Sequence, residues 1–377
     1  MSTTKDLGLK GYNWLELDPI YQRAALARMT GSPTAVDLAF HLTGSPGTAK
    51  TAFNRHVYDS VLPQVADFHK VSPGEIPFVS VMATNIDAMD VRGLPTTVTV
   101  DGKTYTEWAR PGEAIMPLQG RPAAYMFIDE IDKAPTVVRN PLYQGLFEGR
   151  FGEHKFPDNT FMSCASNLVA DRSGGTTLEM HGRNRMIHFL FTASRDSVLQ
   201  HFGSKGYDPA VLGFLKDHPD FMYRFNPKAD SLGFPTLRSW EAFCQMLATH
   251  GLETLHIWGP GTVGDETTAK IAGHIETFKK MPSWEDFRAM DPSDAARIIK
   301  DLPPGVQYGA ISRITANVKT TEDVDWMIET TEKVTPDYAG MAYTWLTSTY
   351  KAKAPLAWKS KKAVRFHTEK GMKLHAN

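Results

Sequence analysis

Two regimes of apolar patterning divide the chain. Up to Phe191, short apolar runs suited to strands are separated by stretches with helical spacing; beyond it the strand signals stop. TAVDLAFHL, Thr34 to Leu42, predicts a strand that ends at Thr43-Gly44. The following TAFNRHVYDSVL sets Ala52, Phe53, Val57, Val61 and Leu62 at helical spacing, which predicts a helix stopping at Pro63. IPFVSVMATNID predicts a second strand around Phe78 to Ala83. TTVTV and KTYTEW alternate on either side of Asp101-Gly102, a dipeptide that accepts the two positive φ values of a type I′ turn, so a β-hairpin is expected there. AAYMFIDE, NTFMSCASN and MIHFLF predict three further strands. Asp18-Pro19 predicts the start of a helix running through Leu26. Strands alternating with helices argue for a parallel, five-stranded α/β sheet covered by helices on both faces.

The segments after Phe191, such as DPAVLGFLKDH and FPTLRSWEAFCQMLATHG, all have helical spacing. The expected organisation is an α/β core over 1–195 with a hairpin insert near 96–108, then an all-helical region over 196–350. A tail with little periodicity over 351–377 completes it and reads as a solvated terminus. Composition supports a folded chain: 377 residues, 42% hydrophobic and 22% charged, leave ample material for a core. The net charge of -1 names no partner, but it is unevenly spread. The tail carries eight Lys/Arg and one acid, leaving 33 basic and 41 acidic residues in the body. Cys164 and Cys244 lie far apart in apolar surroundings and read as buried reduced thiols. No apolar run approaches the ~20 residues that span a bilayer. The N-terminal stretch lacks a signal-like apolar core, so a cytoplasmic location is expected. No Cys/His spacing fits zinc and no GxSxG is present.

Candidate chemistry starts at GSPGTAKT, residues 44 to 51. A phosphate-binding loop has the pattern Gly, four residues, Gly, Lys, then Ser or Thr; here Ala49 replaces the second Gly. Gly44, Ser45, Pro46, Gly47, Thr48 and Ala49 would wrap phosphate with backbone N–H groups at a helix N-terminus. Lys50 would reach the β/γ-phosphates and Thr51 would ligate Mg²⁺. Ala49 is expected at the helix start with an ordinary negative φ, so that its methyl does not close the site. The strand Tyr125 to Ile128 then delivers Asp129 and Glu130. Two acids at the end of a buried strand call for cationic partners, and Mg²⁺ is one. Asp129 would hold the metal and Glu130 would polarise the attacking water. Acids also favour helix starts, which gives a purely structural alternative. Asn167, ending the next strand, could position water or sense the γ-phosphate. GRNRM, 182 to 186, offers Arg183 and Arg185 for transition-state charge. Arg238 stands near a helix start, where a cation is disfavoured, and so points to an anionic partner.

Taken in order, these features resemble the AAA+ ATPases, within the P-loop NTPases, and most of all their MoxR-type branch, in which Ala before the loop lysine is common. VRGLP (91–95), DEIDKAP (129–135), LFEGRFGEHKFPDN (146–159) and FPTLRSWE (234–241) extend the likeness over roughly residues 30 to 340. The resemblance implies ATP and Mg²⁺ as cofactors, an all-α lid after the sheet, and a homo-oligomeric ring, usually a hexamer. It implies that Arg185 is an arginine finger, Asn167 sensor 1 and Arg238 sensor 2. NRM departs from the family's commoner NRF or DRF, so Arg183 competes with Arg185 for the finger role. Arg238 could serve its own subunit or a neighbour. The hairpin sits where this branch carries an insert that faces the pore or a partner.

The function expected first is ATP hydrolysis driving the remodelling or assembly of a protein partner, such as one with a von Willebrand factor A-type domain. A nucleic-acid motor is the second reading. It uses the basic tail, with Trp358 and Phe366 available to stack on bases. An ATP-gated scaffold with negligible turnover is the third.

Overall fold

The architecture follows from where the apolar runs end. The computed structural model describes residues 10–108, 116–168, 171, 176–226 and 232–371. The first nine residues and the last six of the basic tail lie outside the described residues. The chain forms two compact units, Met1–Ala193 and Ser194–Asn377.

The first unit is built on a parallel sheet. Its strands are β1 (Gly11–Tyr12), β2 (Ala39–Thr43), β3 (Phe78–Met82), β6 (Ala124–Asp129), β9 (Thr160–Ser166) and β10 (Met186–Phe191), in the order β1-β10-β2-β9-β6-β3. The sheet therefore has six strands where five are expected. The extra one, β1, is a two-residue edge strand beside β10, too short to leave a periodic pattern. The expected first strand is also displaced: Thr34 to Leu38 is not strand, and pairing begins at Ala39. Asp37, mid-run, pairs with Arg28 and sits on the surface.

One sheet face presents Phe40, Leu42, Tyr125, Phe127, Phe161, Ala165 and Phe191 to helices α1 (Trp14–Met29) and α2 (Lys50–His69). The opposite face presents Ala39, Met126, Ile128, Cys164 and Met186 to α3 (Ala88–Arg92) and α4 (Thr136–Glu148). Burial on both faces explains why these strands read as continuous apolar runs. Two helix boundaries differ from expectation. The first helix starts at Trp14, capped by Asn13 and Glu16, and carries Pro19 inside it. The second runs through Pro63 to His69. Both prolines are exposed, so the carbonyls that lose an N–H partner face water.

The hairpin forms as read, from β4 (Pro95–Val100) and β5 (Lys103–Trp108), with Asp101 at φ 51° and Gly102 at φ 73°. A second short pair, β7 (Arg150–Phe151) and β8 (His154–Lys155), follows α4.

Among the described residues of the second unit, the regular elements are all helices. The start of the tail is ordered, contrary to the solvated terminus expected. Helices Ala354–Lys359 and Lys361–Phe366 pack on helix Thr321–Val334. Ser360 Oγ donates to Asp325 Oδ1 at 2.6 Å, Lys362 pairs with Glu329, and Arg365 lies 3.5 Å from Glu332. Phe366 is buried, so it cannot stack on a base; Trp358 remains exposed. The periodicity was hidden because each helix is only six residues long. Among the described residues, no helix is long and apolar enough to cross a membrane.

Candidate functional site

All strands of the sheet are parallel, so their C-terminal ends share one edge, and at that edge ligands of such folds bind. The register aligns the ends closely: Thr43 pairs with Ser166, and Met82 with Asp129. The ladder continues one step further, with Gly44 N–H donating to Ser166 O at 3.3 Å and Ala83 N–H to Asp129 O at 2.9 Å. Gly44, Thr84, Glu130 and Asn167 are thereby delivered together, though far apart in sequence.

The phosphate-loop candidate joins β2 to α2. At Gly44 an added Cβ would lie 2.5 Å from the Phe191 carbonyl oxygen, so only glycine fits against β10. Gly47 has φ 73°. Ala49 has φ 69°, in the left-handed region, which corrects the expectation of a negative φ. The loop's tight wrap demands this conformation just before the helix, and alanine takes it at a cost of roughly 1–2 kcal/mol. Thr48 Oγ1 closes the turn on Ser45 O at 2.8 Å.

Lys50 is buried, and its Nζ donates to Gly44 O at 2.7 Å, Ser45 O at 3.1 Å and Asn167 Oδ1 at 3.0 Å. Thr51 Oγ1 donates to Asp129 Oδ2 at 2.5 Å, and the other carboxylate oxygen accepts the Glu130 N–H at 2.9 Å. Glu130 itself has φ 55° and precedes a single 3₁₀ turn, yet its side chain makes no capping bond. The helix-start alternative for this acid therefore falls. Its carboxylate accepts from Lys133 Nζ at 2.6 Å and from Thr84 Oγ1 at 3.4 Å.

Sequence reasoning assigned no role to Thr84, Asp132 or Lys133, although the last two lie in the quoted DEIDKAP run. Asp132 accepts the Asn167 N–H at 3.3 Å, and burial raises its carboxyl pKa. Its second oxygen, buried, has no partner among the described residues. Burial likewise raises Asp171, whose carboxyl accepts from Ser45. Asn54 was also missed: fully buried, it ties Lys50 O to Tyr125 OH, fixing the start of α2 to the sheet.

The structure thus gathers Gly44 to Thr51, Asp129, Glu130 and Asn167. Arg183 closes the short helix α5 (Met180–Arg183), Arg185 lies between it and β10, and both side chains are exposed. The Arg185 guanidinium lies over the Phe147 ring at 5.5 Å. Arg238 is exposed in the first turn of helix Leu237–His250, in the other unit.

Thr51 and Asp129 supply hard oxygen donors already in mutual contact, which is the chemistry that suits Mg²⁺. A buried lysine between two carbonyls and a left-handed loop at a helix N-terminus suits a polyphosphate. Strand order, loop and helical second unit together define the fold class: a parallel α/β sheet with helices on both faces and a loop-to-helix turn at its C-terminal edge, followed by a helical unit.

No family model matches the chain, and no curated protein does. Solved structures do match, at low likeness. PCH-2 of C. elegans is 13% identical, with 71% of this chain and 70% of that one covered, at a TM-score of 0.34. NtrX of Brucella abortus, in complex with ATP, is 15% identical over 89% and 68%, at 0.36. A presumed ATPase of Cytophaga hutchinsonii ATCC 33406 is 13% identical over 87% and 80%, at 0.30.

Proposed function

We propose that the chain is a ring-forming ATPase of the MoxR-like kind that uses ATP hydrolysis to remodel or help assemble a protein partner. The observation that carries this reading is the convergence of Lys50, Thr51, Asp129, Glu130 and Asn167 at one end of the sheet. Lys50 and the loop N–H groups hold the β- and γ-phosphates. Thr51 and Asp129 would hold Mg²⁺, which neutralises developing phosphate charge. Glu130 accepts a proton from the attacking water once Lys133 and Thr84 release it, and Asn167 orients that water or the γ-phosphate. Arg185, or Arg183, serves the site of the next subunit, and Arg238 completes a site in its own or a neighbouring subunit. The exposed hairpin is the surface offered to a partner, which includes von Willebrand factor A-type proteins. The nucleic-acid alternative keeps only Trp358 and part of the tail charge. A non-hydrolysing scaffold, the third reading, is kept because NRM departs from the commoner motif.

The test is steady-state ATP hydrolysis against protein concentration, with Glu130→Gln as control. The expected result is a rate per subunit that climbs with concentration and a control that binds ATP without hydrolysing it. A flat rate near zero, with nucleotide-dependent assembly intact, would replace the motor with the scaffold.

A further inference from the structure

The sheet carries a polar chain that the proposed chemistry does not use. His41, on β2, is buried in a face otherwise lined by Ala39, Cys164 and Met186. His188 stands opposite it on β10. Their Nδ1 atoms are 2.7 Å apart. At its other ring nitrogen, His41 Nε2 meets Ser166 Oγ at 2.8 Å. His188 Nε2 lies 2.7 Å from the Arg183 carbonyl oxygen.

With both rings neutral, donor chemistry allows one assignment. A carbonyl only accepts, so His188 Nε2–H donates to Arg183 O. His188 Nδ1 is then an acceptor, and His41 Nδ1–H donates to it. His41 Nε2 in turn accepts from the Ser166 hydroxyl. Three hydrogen bonds thus run in one direction across β9, β2 and β10. Burial, reinforced by His188 and Lys50, lowers the His41 pKa to about 3, in keeping with a neutral ring.

The two ends of this chain matter. One is the backbone of the turn that bears Arg183 and Arg185. The other is Ser166, whose carbonyl accepts the Gly44 N–H and whose next residue is Asn167, bonded to Lys50. An apolar pair would fill the same space without the desolvation cost of two imidazoles. A fully satisfied polar chain holds its members to one arrangement.

We propose that His41 and His188 are positioning residues that couple the backbone of the Arg183–Arg185 turn to Asn167. This rests on the reading of Lys50 and Asn167 as part of a nucleotide site, and adds to it a route by which contact at the arginine turn is felt there. The geometry predicts that breaking the chain at His188 disturbs Asn167.

The experiment compares the full-length wild type with His188→Ala and His188→Gln, each checked for an unchanged melting temperature. The glutamine amide accepts and donates at a spacing close to that of the two ring nitrogens. MgATP turnover is read together with the side-chain amide NMR signal of Asn167, assigned through Asn167→Ala. The alanine variant is expected to lose about 10- to 100-fold in kcat, the scale of a misplaced catalytic group, with KM nearly unchanged. It should also shift the Asn167 signal, and the glutamine variant should restore both. Wild-type kcat in the alanine variant, or a glutamine variant as poor as alanine, overturns the coupling. If the wild type hydrolyses no ATP, the hydrolytic reading fails separately, and the coupling is judged by the amide signal: no shift in the alanine variant overturns it.

Discussion

Lys50 Nζ donates to Asn167 Oδ1 at 3.0 Å, binding the loop after β2 to the end of the neighbouring strand β9. The two residues are 117 positions apart, and only the parallel register brings them together. In the proposed site they have different tasks. Lys50 is a charge partner for phosphate in ground and transition states, whereas Asn167 acts on the reacting end. Lys50→Ala is expected to weaken nucleotide binding by about 10- to 100-fold, the value of a charge-assisted hydrogen bond. Asn167→Ala should leave affinity near wild type and lower turnover. Fluorescent-nucleotide titration and steady-state kinetics separate the two. Tight ATP binding by Lys50→Ala would remove the loop from the site.

Ala49 poses a question of strain. Its φ of 69° is one that glycine adopts freely and alanine does not. Replacing it by glycine relieves the left-handed penalty but adds about 0.4–1 kcal/mol of unfolded-state entropy. The net expectation for Ala49→Gly is a gain of up to about 1.6 kcal/mol, since the αL penalty is roughly 1–2 kcal/mol. Urea unfolding reads this directly. A clear loss of stability would mean that the alanine methyl makes packing contacts worth more than the strain.

His41 gives a pH prediction. Its folded pKa, about 3, lies below the ordinary histidine value of 6.5. Between those values the unfolded chain binds a proton that the folded chain refuses. Stability attached to His41 is therefore complete above pH 6.5 and falls as pH drops toward 3, by about 1.4 kcal/mol per unit at most. Asp132 and Asp171, raised by burial, push the opposite way, because the folded state takes up their protons first. The difference between wild type and His41→Gln isolates the histidine. Wild type should lose stability faster over this window, and parallel curves would show that His41 does not resist protonation.

Much of the fold was legible because both sheet faces are buried. Continuous apolar runs such as Tyr125 to Ile128 announce their strands, and Asp101-Gly102 announces its turn. The gathered site was legible for the same reason: its residues stand where apolar runs end. What escaped has physical causes. The β1 strand and the two six-residue tail helices are too short for a period to emerge. Pro19 and Pro63 look like helix breakers but sit on exposed faces, where water replaces the lost bond. The Ala49 backbone angle depends on how tightly the loop turns. The His41–His188 pair depends on strand order, because β2 and β10 are neighbours in the sheet and distant in the chain.

Arg183 and Arg185 are both exposed. The proposed ring gives Arg185 its task on a neighbour's nucleotide. Arg183 contributes a backbone carbonyl to His188, a role its side chain does not affect. Arg185→Ala should therefore keep nucleotide affinity and lose about 10³-fold or more in turnover, the scale of an arginine finger. Arg183→Ala should lose much less. Mixing distinguishes a finger acting between subunits from a local structural role. An Arg185→Ala chain retains Glu130, and a Glu130→Gln chain retains Arg185, so an interface between them holds one complete site. Mixed at equal concentration, the two inactive variants should recover measurable ATPase activity. A mixture as inactive as its components, with assembly confirmed by light scattering, would confine Arg185 to its own subunit.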